Sequence, residues 1–336
     1  MVREKKLVDE VSGWLKIYDD GSVDRTWSGP EQFKFMAEPI PSHDQFIDGV
    51  AIRDVTIPES SGNRIRLYLP EKSPEGNQKL PILLHFHGGG FCISEPDWFM
   101  YYHVYTRFAR STGSIVVSPF LRRGPDHRLP AAIDDAFETL RWLQTVALSG
   151  SGEPWLEKHA DFNRVFLIGD SSGGNVVHAV AASAGSMDLN PVRVAGAIPV
   201  HPGFVRSNRS RSELQMPQSP FLTLDMLDKF LGLALPVGSS KDHPITCPMG
   251  SAAPPLEGLK LPAMLLCVAE MDLLRDTQME YYEAMKKANK DVELFVSSGM
   301  THSFYLNKIA VDMDPNVGAQ TEALVFKVKE FLENHP

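Results

Sequence analysis

The sequence predicts an α/β fold in which a mostly parallel central sheet is covered by helices on both faces. Short apolar runs alternate with longer amphipathic stretches, as expected for strands that alternate with helices. Several of the runs are almost continuously apolar, which is typical of strands buried on both faces. The chain has 336 residues, 43% of them hydrophobic, and this is enough for one large domain with a substantial core.

The predicted elements follow one another in a regular order. Two strand-like segments centre on Ile52 and Leu67, and the second alternates polar with apolar residues, the pattern of a half-buried strand. Glycines, prolines and polar clusters separate the later elements. Buried strands are predicted at 81–86, 114–120, 164–170, 194–204, 262–272 and 292–297, and helices at 100–113, 131–148, 173–185, 276–290 and 320–335.

Two segments interrupt this alternation. Residues 1–42 begin with a mixed stretch that we expect to be helical, followed by "YDDGSVDRTW" at 18–27, which is typical of a turn between short strands. Residues 205–251 contain "LTLDMLDKFLGLAL" and a proline-rich tail, and they predict an insertion with one or two helices. We expect one domain over residues 1–336.

Composition argues against several classes of function. The chain has 33 basic and 42 acidic residues, a net charge of −9 with no basic run, so nucleic acid and anionic membrane surfaces are poor candidates for partners. No apolar run is long enough for a membrane span, and the N-terminus lacks the apolar core of a secretory signal. The three isolated cysteines, Cys92, Cys247 and Cys267, match neither a disulfide framework nor a metal site. We expect a cytoplasmic protein without a metal, an organic cofactor or an obligate protein partner.

Two adjacent serines follow the predicted strand at 164–170. The stretch "GDSSGG" fits G-x-S-x-G with Ser171 at its centre, and a nucleophile at a sharp strand-to-helix turn needs small neighbours two residues away on each side. Gly169 and Gly173 meet this need for Ser171, whereas a turn centred on Ser172 would have Asp170 at the upstream position. The alternative is an ordinary tight turn, with Ser171 capping the following helix.

A serine nucleophile needs a base, and the base needs an orienting acid. In this class of sheet the acid and then the histidine follow the serine along the chain. Of the 11 histidines only His302 and His335 follow every candidate acid. His335 is the penultimate residue, where order is lowest, so His302, in a loop after a predicted strand, is the predicted base. A surface-loop histidine is the alternative.

Three acidic side chains follow the predicted strand at 262–272. Asp272 comes directly after the buried run and before the next helix, where an orienting acid should lie. Asp276 falls at or within that helix, where a negative charge also interacts favourably with the helix dipole. Glu270 falls within the strand or its turn. We therefore predict Asp272 as the acid, with a simple helix cap as the alternative role.

Acyl transfer also needs hydrogen-bond donors for the oxyanion. The stretch "HFHGGGF" after an early strand is the oxyanion motif of lipases and esterases, and glycines let backbone N–H groups approach a substrate closely. We predict the N–H groups of Gly88, Gly89 and Ser172 as donors. The alternative, a phosphate-binding loop, is disfavoured because no G-x-G-x-x-G or GK[ST] is present. His87 is assigned a structural role.

These motifs resemble those of plant carboxylesterases of the hormone-sensitive-lipase-like branch of the α/β-hydrolases. The resemblance rests on "HGGGF", "GDSSGGN", "EMDLLRD" and "GMTHSF", and the N-terminal "IYDDGSVDRTW" extends it over nearly the whole chain. It implies a plant serine esterase that hydrolyses esters of small to medium hydrophobic acids without a cofactor. It also implies a helical cap, formed by about 1–42 and 205–251, and candidate pocket residues Phe91, Trp98 and Phe221.

Other members of the same branch carry out different functions. Gibberellin receptors have this fold, lack the catalytic histidine and usually carry HGGS, whereas this chain has His302 and Gly90. Dehydratases of 2-hydroxyisoflavanones and acyl transferases can use the same triad. The first comparison favours an enzyme, and the sequence leaves the choice among hydrolysis, elimination and transfer open.

Overall fold

The computed structural model of the protein describes residues 5–57, 62–71, 79–150 and 152–336. The strands are β1 (Leu7–Val11), β2 (Leu15–Tyr18), β3 (Val23–Asp24), β4 (His43–Ile47), β5 (Val50–Thr56), β6 (Arg64–Pro70), β7 (Leu80–Phe86), β8 (Ile115–Pro119), β9 (Ala160–Asp170), β10 (Val194–Val200), β11 (Ala263–Ala269) and β12 (Val292–Ser297). The helices are α1 (Phe99–Thr112), α2 (Ala131–Ser149), α3 (Pro154–His159), α4 (Ser172–Ala184), α5 (Arg211–Gln215), α6 (Leu224–Ala234), α7 (Arg275–Lys287), α8 (Lys308–Met313) and α9 (Pro315–Asn334), and 3-10 helices cover Glu31–Ala37, Leu256–Gly258 and Phe304–Leu306.

A nine-stranded sheet forms the centre of the molecule. Its strand order is β12-β11-β10-β9-β7-β8-β6-β5-β4. The six strands from β12 to β8 are parallel, and β6, β5 and β4 continue the sheet in antiparallel pairing. The predicted fold class, a mostly parallel sheet with helices, is therefore confirmed.

The middle strands form the core because their residues are apolar on both faces. Every residue of β7 is buried, and so is the second half of β9, Val165 to Asp170. These two strands pair in parallel, with Leu84 opposite Leu167. Parallel strands end at the same edge of a sheet, so the loops that follow β7, β9, β11 and β12 meet there.

Strand β6 is more deeply buried than its alternating sequence predicts. Arg66 and Tyr68 are each only 1% exposed. The Arg66 guanidinium donates to both carboxylate oxygens of Asp54 at 2.7 and 2.8 Å and to the Ile40 carbonyl oxygen. The Tyr68 hydroxyl donates to the Pro96 carbonyl oxygen. These partners, distant in sequence, allow polar residues to be buried on the face that was expected to be exposed.

The prediction of a helical start to the chain is wrong. Residues 7–24 form a separate three-stranded antiparallel sheet, β1-β2-β3. The tight turn at Gly13, with φ 77°, lets Val11, Trp14 and Leu15 all enter the core. Burial of these side chains outweighs the helix propensity of the neighbouring lysines and glutamates. The N-terminal segment therefore contributes strands where helix was expected.

The segment 205–251 contains two helices, α5 and α6. Thr223 caps the start of α6 by accepting from the Met226 N–H. At the other end, the Arg128 guanidinium donates to the Gly232 and Leu235 carbonyl oxygens at 2.8 and 2.6 Å. Since these carbonyls have no partner within the helix, Arg128 both caps α6 and holds it on the sheet domain. Among the described residues, none of the helices is long and apolar enough to cross a membrane.

The terminal helix α9 allows a test of core packing on a single element. Phe331 is 1% exposed and packs edge-on against Phe166 of β9, whereas Phe326 is 68% exposed. We expect Phe331→Ala to lower the free energy of unfolding by about 3–5 kcal/mol, and Phe326→Ala to change it by less than about 0.5 kcal/mol. Urea denaturation measures both. Similar losses for the two variants would show that α9 is not anchored through Phe331.

Candidate active site

Ser171 stands at a sharp turn between β9 and α4. Its backbone has φ 51° and ψ −121°, a strained conformation for a residue with a Cβ. The Ser171 N–H donates to the Val200 carbonyl oxygen at 3.0 Å, and the Ser171 carbonyl oxygen accepts from the N–H groups of Gly174 and Gly203. Backbone hydrogen bonds to neighbouring segments therefore maintain the strained turn.

Glycines on both sides of Ser171 let α4 approach the sheet. A Cβ on Gly173 would lie 2.0 Å from the Phe86 carbonyl oxygen, and a Cβ on Gly169 would lie 2.5 Å from the Gly173 carbonyl oxygen. Both distances are far shorter than van der Waals contact, and the atoms approached belong to the backbone. The small residues that a turn centred on Ser171 requires are thus present at both positions.

A chain of hydrogen bonds joins Ser171, His302 and Asp272. His302 Nε2 lies 2.9 Å from Ser171 Oγ, and His302 Nδ1 lies 2.8 Å from Asp272 Oδ2. An ionised carboxylate only accepts, so Nδ1 carries the proton and Nε2 is free to accept from the serine hydroxyl. His335 is remote from this chain, and its Nδ1 donates to the Phe331 carbonyl oxygen.

The environment of Asp272 keeps it ionised. The side chain is 1% exposed, and it accepts from the Leu274 N–H at 2.9 Å and from Gln278 Nε2 at 3.0 Å. Burial alone would raise the pKa of Asp272, but the charge of His302 and hydrogen bonds from His302 and Leu274 outweigh burial and lower this pKa below its usual value. The ionised Asp272 carboxylate therefore contacts Nδ1 of His302, on the side of the ring opposite to Ser171.

The other two candidate acids lie elsewhere. The Glu270 carboxylate accepts from Ser298 Oγ and from the Gly299 N–H, each at 2.7 Å. The Asp276 carboxylate accepts from the Ser212 N–H at 2.8 Å, at the start of α5. Both residues organise loops beside the site, and only Asp272 contacts His302 directly.

The Gly88 N–H, one of the three predicted oxyanion donors, already has two acceptors within the protein. It donates to the Tyr101 hydroxyl at 2.9 Å and to Asp170 Oδ1 at 3.2 Å. Asp170 is buried, and its second oxygen accepts from Tyr101 at 3.1 Å. The Gly88 N–H is therefore already bonded, and Gly88 is not among the residues that line the cavity at Ser171.

The next two glycines, unlike Gly88, border the cavity at Ser171. Gly89 and Gly90 both line the cavity together with Ser172. Within the described part of the chain, the N–H groups of these three residues have no hydrogen-bond partner. They are the backbone donors that remain available at the cavity, and Gly88, one of the three predicted donors, is not among them.

A narrow apolar cavity of about 60 Å³ opens at Ser171. Of the predicted lining residues, Phe91 and Phe221 border it, but Trp98 does not. Trp14 borders the cavity instead, and Trp98 lies behind it with ring centroids 6.0 Å apart and planes 13° apart. Trp14 could not be found from the sequence, because its place depends on how the N-terminal sheet folds over the domain.

Helix α6 forms a large part of the cavity wall. The Phe230 ring lies so close to Gly90 that a Cβ on this glycine would be 2.5 Å from the ring. The apolar spacing of "LTLDMLDKFLGLAL" was the available signal for this face, although these side chains were not singled out. The α6 residues that line the cavity are Met226, Leu227, Phe230 and Leu231.

The site has the composition expected for acid–base chemistry on side chains. No group of three or more histidine, cysteine or acidic residues in the described ranges is arranged to hold a metal ion.

His87, to which the sequence assigned a structural role, accepts from the Leu121 N–H at 3.4 Å through Nε2 and contacts the Gly88 carbonyl oxygen through Nδ1. Burial lowers the pKa of His87 to about 3, so this ring is neutral.

Comparison with known protein families matches residues 83–306 to the α/β-hydrolase fold. This range covers more than half of the chain and includes Ser171, Asp272 and His302. The chain belongs to the α/β-hydrolase family.

Similar proteins extend over almost the whole of this α/β-hydrolase. Carboxylesterase 20 from Arabidopsis thaliana is 33% identical over 322 residues, 93% of each chain. Gibberellin receptor GID1C from the same plant is 33% identical over 326 residues, 90% of each chain. The chloroplastic tuliposide A-converting enzyme 1 of Tulipa gesneriana is 32% identical over 326 residues, 96% of this chain and 78% of the relative.

Solved structures agree with the sequence relatives. EstE1, a thermostable carboxylesterase cloned from a metagenomic library, is 27% identical, with a TM-score of 0.68 over 85% of this chain and 89% of EstE1. The predicted resemblance to plant carboxylesterases is confirmed, and so is the prediction of a carboxylesterase-type hydrolase.

The expected cytoplasmic location stays a prediction, because the tulip relative is named as chloroplastic.

A buried histidine that the sequence did not single out supports the loop of His302. His201, at the end of β10, is fully buried, and its Nδ1 accepts from the Ser303 N–H at 3.0 Å. Its ring centroid lies 6.0 Å from that of His302. Burial lowers the pKa of His201 from 6.5 to about 4, so the ring stays neutral and can accept this bond.

We expect His201 to make stability depend on pH. Since its pKa is lower in the folded state, the unfolded state binds the proton more tightly, and stability falls as the pH drops from 6.5 towards 4. Between about pH 7 and about pH 5 the loss from this one side chain is up to about 2 kcal/mol. Urea denaturation at the two pH values should show a smaller difference for His201→Asn than for the wild type. An unchanged difference would contradict the assignment.

The contact between Gly90 and Phe230 can be tested against a glycine with similar backbone. Gly90 has φ 60° and Gly113 has φ 62°, but a Cβ on Gly113 would meet nothing within 4 Å. We expect Gly113→Ala to cost about 1 kcal/mol of stability from backbone strain, and Gly90→Ala to cost more. Replacing Phe230 by Ala in the Gly90→Ala background should recover part of this extra cost, which thermal and urea unfolding would measure. Strictly additive effects would exclude the contact.

Proposed function

We propose that this α/β-hydrolase is a serine carboxylesterase that hydrolyses esters through an acyl-enzyme on Ser171. The observation that carries the proposal is the unbroken hydrogen-bond chain from Asp272 through His302 to Ser171, which ends in a narrow apolar cavity. The order of roles follows from the chemistry: the hydroxyl attacks, the imidazole moves protons, and the carboxylate orients the imidazole.

In the first half of the reaction, Ser171 Oγ attacks the ester carbonyl carbon while His302 Nε2 accepts the hydroxyl proton. The imidazolium that forms is stabilised by the Asp272 carboxylate, whose lowered pKa keeps it ionised. His302 then donates its proton to the departing alcohol oxygen as the C–O bond breaks. The acyl group remains bonded to Ser171.

In the second half, a water molecule attacks the acyl-enzyme. His302 accepts a proton from the water and returns it to Ser171 Oγ as the acid leaves, so the enzyme is restored with no net proton change at the triad. The reaction needs no redox partner, and every proton transfer in it passes through His302.

The developing oxyanion accepts hydrogen bonds from the N–H groups of Gly89, Gly90 and Ser172. Support comes from the positions of these residues at the cavity and from the partners of Gly88, whose N–H is bonded to Tyr101 and Asp170. Ser172 is the first residue of α4, so its N–H also lies at the positive end of the helix dipole. Preorganised donors of this kind supply a large part of the rate enhancement in acyl transfer.

The preferred acyl group is small to medium and hydrophobic. Support comes from the small volume of the cavity and from its apolar lining. Residues 1–42 and 205–251 act as the cap in this proposal: Trp14 borders the cavity from the first segment, and Phe221 and helix α6 border it from the second.

A binding protein without catalysis is the competing class, since one relative is a gibberellin receptor. Two features favour catalysis. His302 is aligned with both Ser171 and Asp272, an arrangement that ligand binding alone does not require. In addition, Phe230 occupies the space that a side chain at position 90 would need, so the HGGS pattern expected of receptors does not fit beside α6 in this arrangement.

Covalent labelling and substitution of Ser171 test whether this serine is the nucleophile. We expect an organophosphonate to modify Ser171, as mapped by peptide mass spectrometry, and Ser171→Ala to lower kcat for a short-chain p-nitrophenyl ester by about 10⁴-fold or more. Asp272→Asn should lower kcat by about 10³–10⁴-fold while Ser171 can still be labelled slowly.

Ser183→Ala is the matched control, because Ser183 lies on the exposed face of the same helix α4. Hydrolysis that survives in Ser171→Ala, or a label on another residue, would refute the assignment. Tight gibberellin binding with no hydrolysis of any ester tested would place the protein in the receptor class.

A further inference from the structure

The oxyanion loop, residues 88–91, is held at both ends by the residues on either side of Ser171. At its start, the Gly88 N–H donates to Asp170 Oδ1 at 3.2 Å. At its end, the Phe91 N–H donates to the Ser172 hydroxyl oxygen at 3.2 Å. The two N–H groups between these anchors, on Gly89 and Gly90, are the ones left available to a substrate.

The end of the loop needs an anchor because its backbone is unfavourable. Gly89, Gly90 and Phe91 have φ values of 101°, 60° and 61°. For the two glycines this left-handed region carries no steric penalty, but for Phe91 it costs about 1–2 kcal/mol. The Phe91 carbonyl oxygen is held by the Gly124 N–H at 2.8 Å, so the loop would relieve this strain mainly by turning the peptide group between Gly90 and Phe91. The Gly90 N–H lies in the preceding peptide group and would be displaced by this turn.

Burial makes the Ser172 hydroxyl the partner on which Phe91 depends. Phe91 is 7% exposed and Ser172 is 4% exposed, so bulk water has little access to the bond. A buried N–H that loses its acceptor costs more than the average hydrogen bond contributes. Removing this hydroxyl therefore leaves the end of the loop with strain and with an unsatisfied donor.

We propose that the Ser172 side chain is a positioning residue for the oxyanion hole, a role that rests on the proposed function and deepens it. Ser172 donates its own N–H to the oxyanion, and its hydroxyl fixes the end of the loop that carries the Gly89 and Gly90 donors. Ser172 therefore contributes to both halves of the hole, beside the bond from the Gly88 N–H to Asp170 and the bonds from the Cys92 and Ile93 N–H groups to the Gly89 carbonyl oxygen. The second serine of "GDSSGG" thus has a role that its backbone alone could not fulfil.

A role for Ser172 as an alternative nucleophile does not fit its contacts. His302 Nε2 already lies 2.9 Å from Ser171 Oγ, and the Ser172 oxygen accepts from Phe91. A base in contact is what makes a serine hydroxyl nucleophilic. The Ser172 hydroxyl acts through the loop and not on the substrate.

The test compares Ser172→Ala with Ser172→Cys. Cysteine retains the approximate volume of serine, but its sulfur is a weak acceptor. We expect kcat for a short-chain p-nitrophenyl ester to fall about tenfold in both variants, with KM little changed, because the lost interaction matters mainly in the transition state. The affinity for a trifluoromethyl ketone, which forms an oxyanion on Ser171, should fall by the same factor as kcat.

The control measurements separate positioning from packing. Ser183→Ala on the same helix should leave kcat, KM and ketone affinity at wild-type values. If Ser172→Cys matches the wild type while Ser172→Ala does not, side-chain volume is responsible and the proposal is wrong. The proposal is also wrong if both variants keep kcat and ketone affinity within about twofold of wild type.

Failure of this proposal is distinguishable from failure of the proposed function. If organophosphonate labels Ser171 and Ser171→Ala is inactive while both Ser172 variants behave as wild type, the esterase mechanism stands and only the positioning role falls. If the wild type neither hydrolyses esters nor takes the label at Ser171, the proposed function itself falls.

Discussion

The close approach of helix α4 to strand β7 is the steric constraint on which the site depends. A Cβ on Gly173 would lie only 2.0 Å from the Phe86 carbonyl oxygen, so only glycine fits at this position of the helix. This approach places Ser171, whose backbone φ is positive, at the carboxyl end of β9. It also places the first residue of α4 at the cavity. It also brings Asp170 and Ser172 to the oxyanion loop that follows β7, because β7 and β9 are neighbours in the sheet. One packing distance therefore places the nucleophile and the loop together.

Near Ser171, a buried and ionised Asp272 lies close to a buried and neutral His201. Asp272 is ionised although it is buried, because His302, Leu274 and Gln278 all donate to it. Nearby His201 is kept neutral by burial and serves as an acceptor for the loop after His302. A low dielectric strengthens each of these bonds, although His201 Nε2 and Gln278 Oε1 are buried without a partner in the part of the chain that the structure describes. The bond to Asp272 orients His302 so that its Nε2 faces Ser171.

The cavity above the triad is built by segments outside the regular alternation of strands and helices. Trp14 reaches it from the N-terminal three-stranded sheet, and Phe230 reaches it from α6. The Lys229 ammonium joins these two segments directly, since it donates to Asp9 and to the Glu10 carbonyl oxygen at 2.8 Å. The cavity walls thus come from the N-terminal segment and from α6, whereas Ser171 is held by the turn between β9 and α4.

The fold class and a short set of candidate site residues can be predicted from local patterns in the sequence. The alternation of apolar runs with amphipathic stretches predicts the parallel sheet, and the order of serine, acid and histidine along it selects Ser171, Asp272 and His302. These are local patterns, and the edge of a parallel sheet brings the ends of its strands together.

Which groups at that edge remain free to donate or to line the cavity depends on contacts made in the folded protein. The Gly88 N–H is bonded to Tyr101 and Asp170, and Trp14 rather than Trp98 faces the cavity. Both outcomes depend on partners far away in the sequence. The expected N-terminal helix became strands for the same reason, since the burial of side chains against distant elements outweighs local propensity.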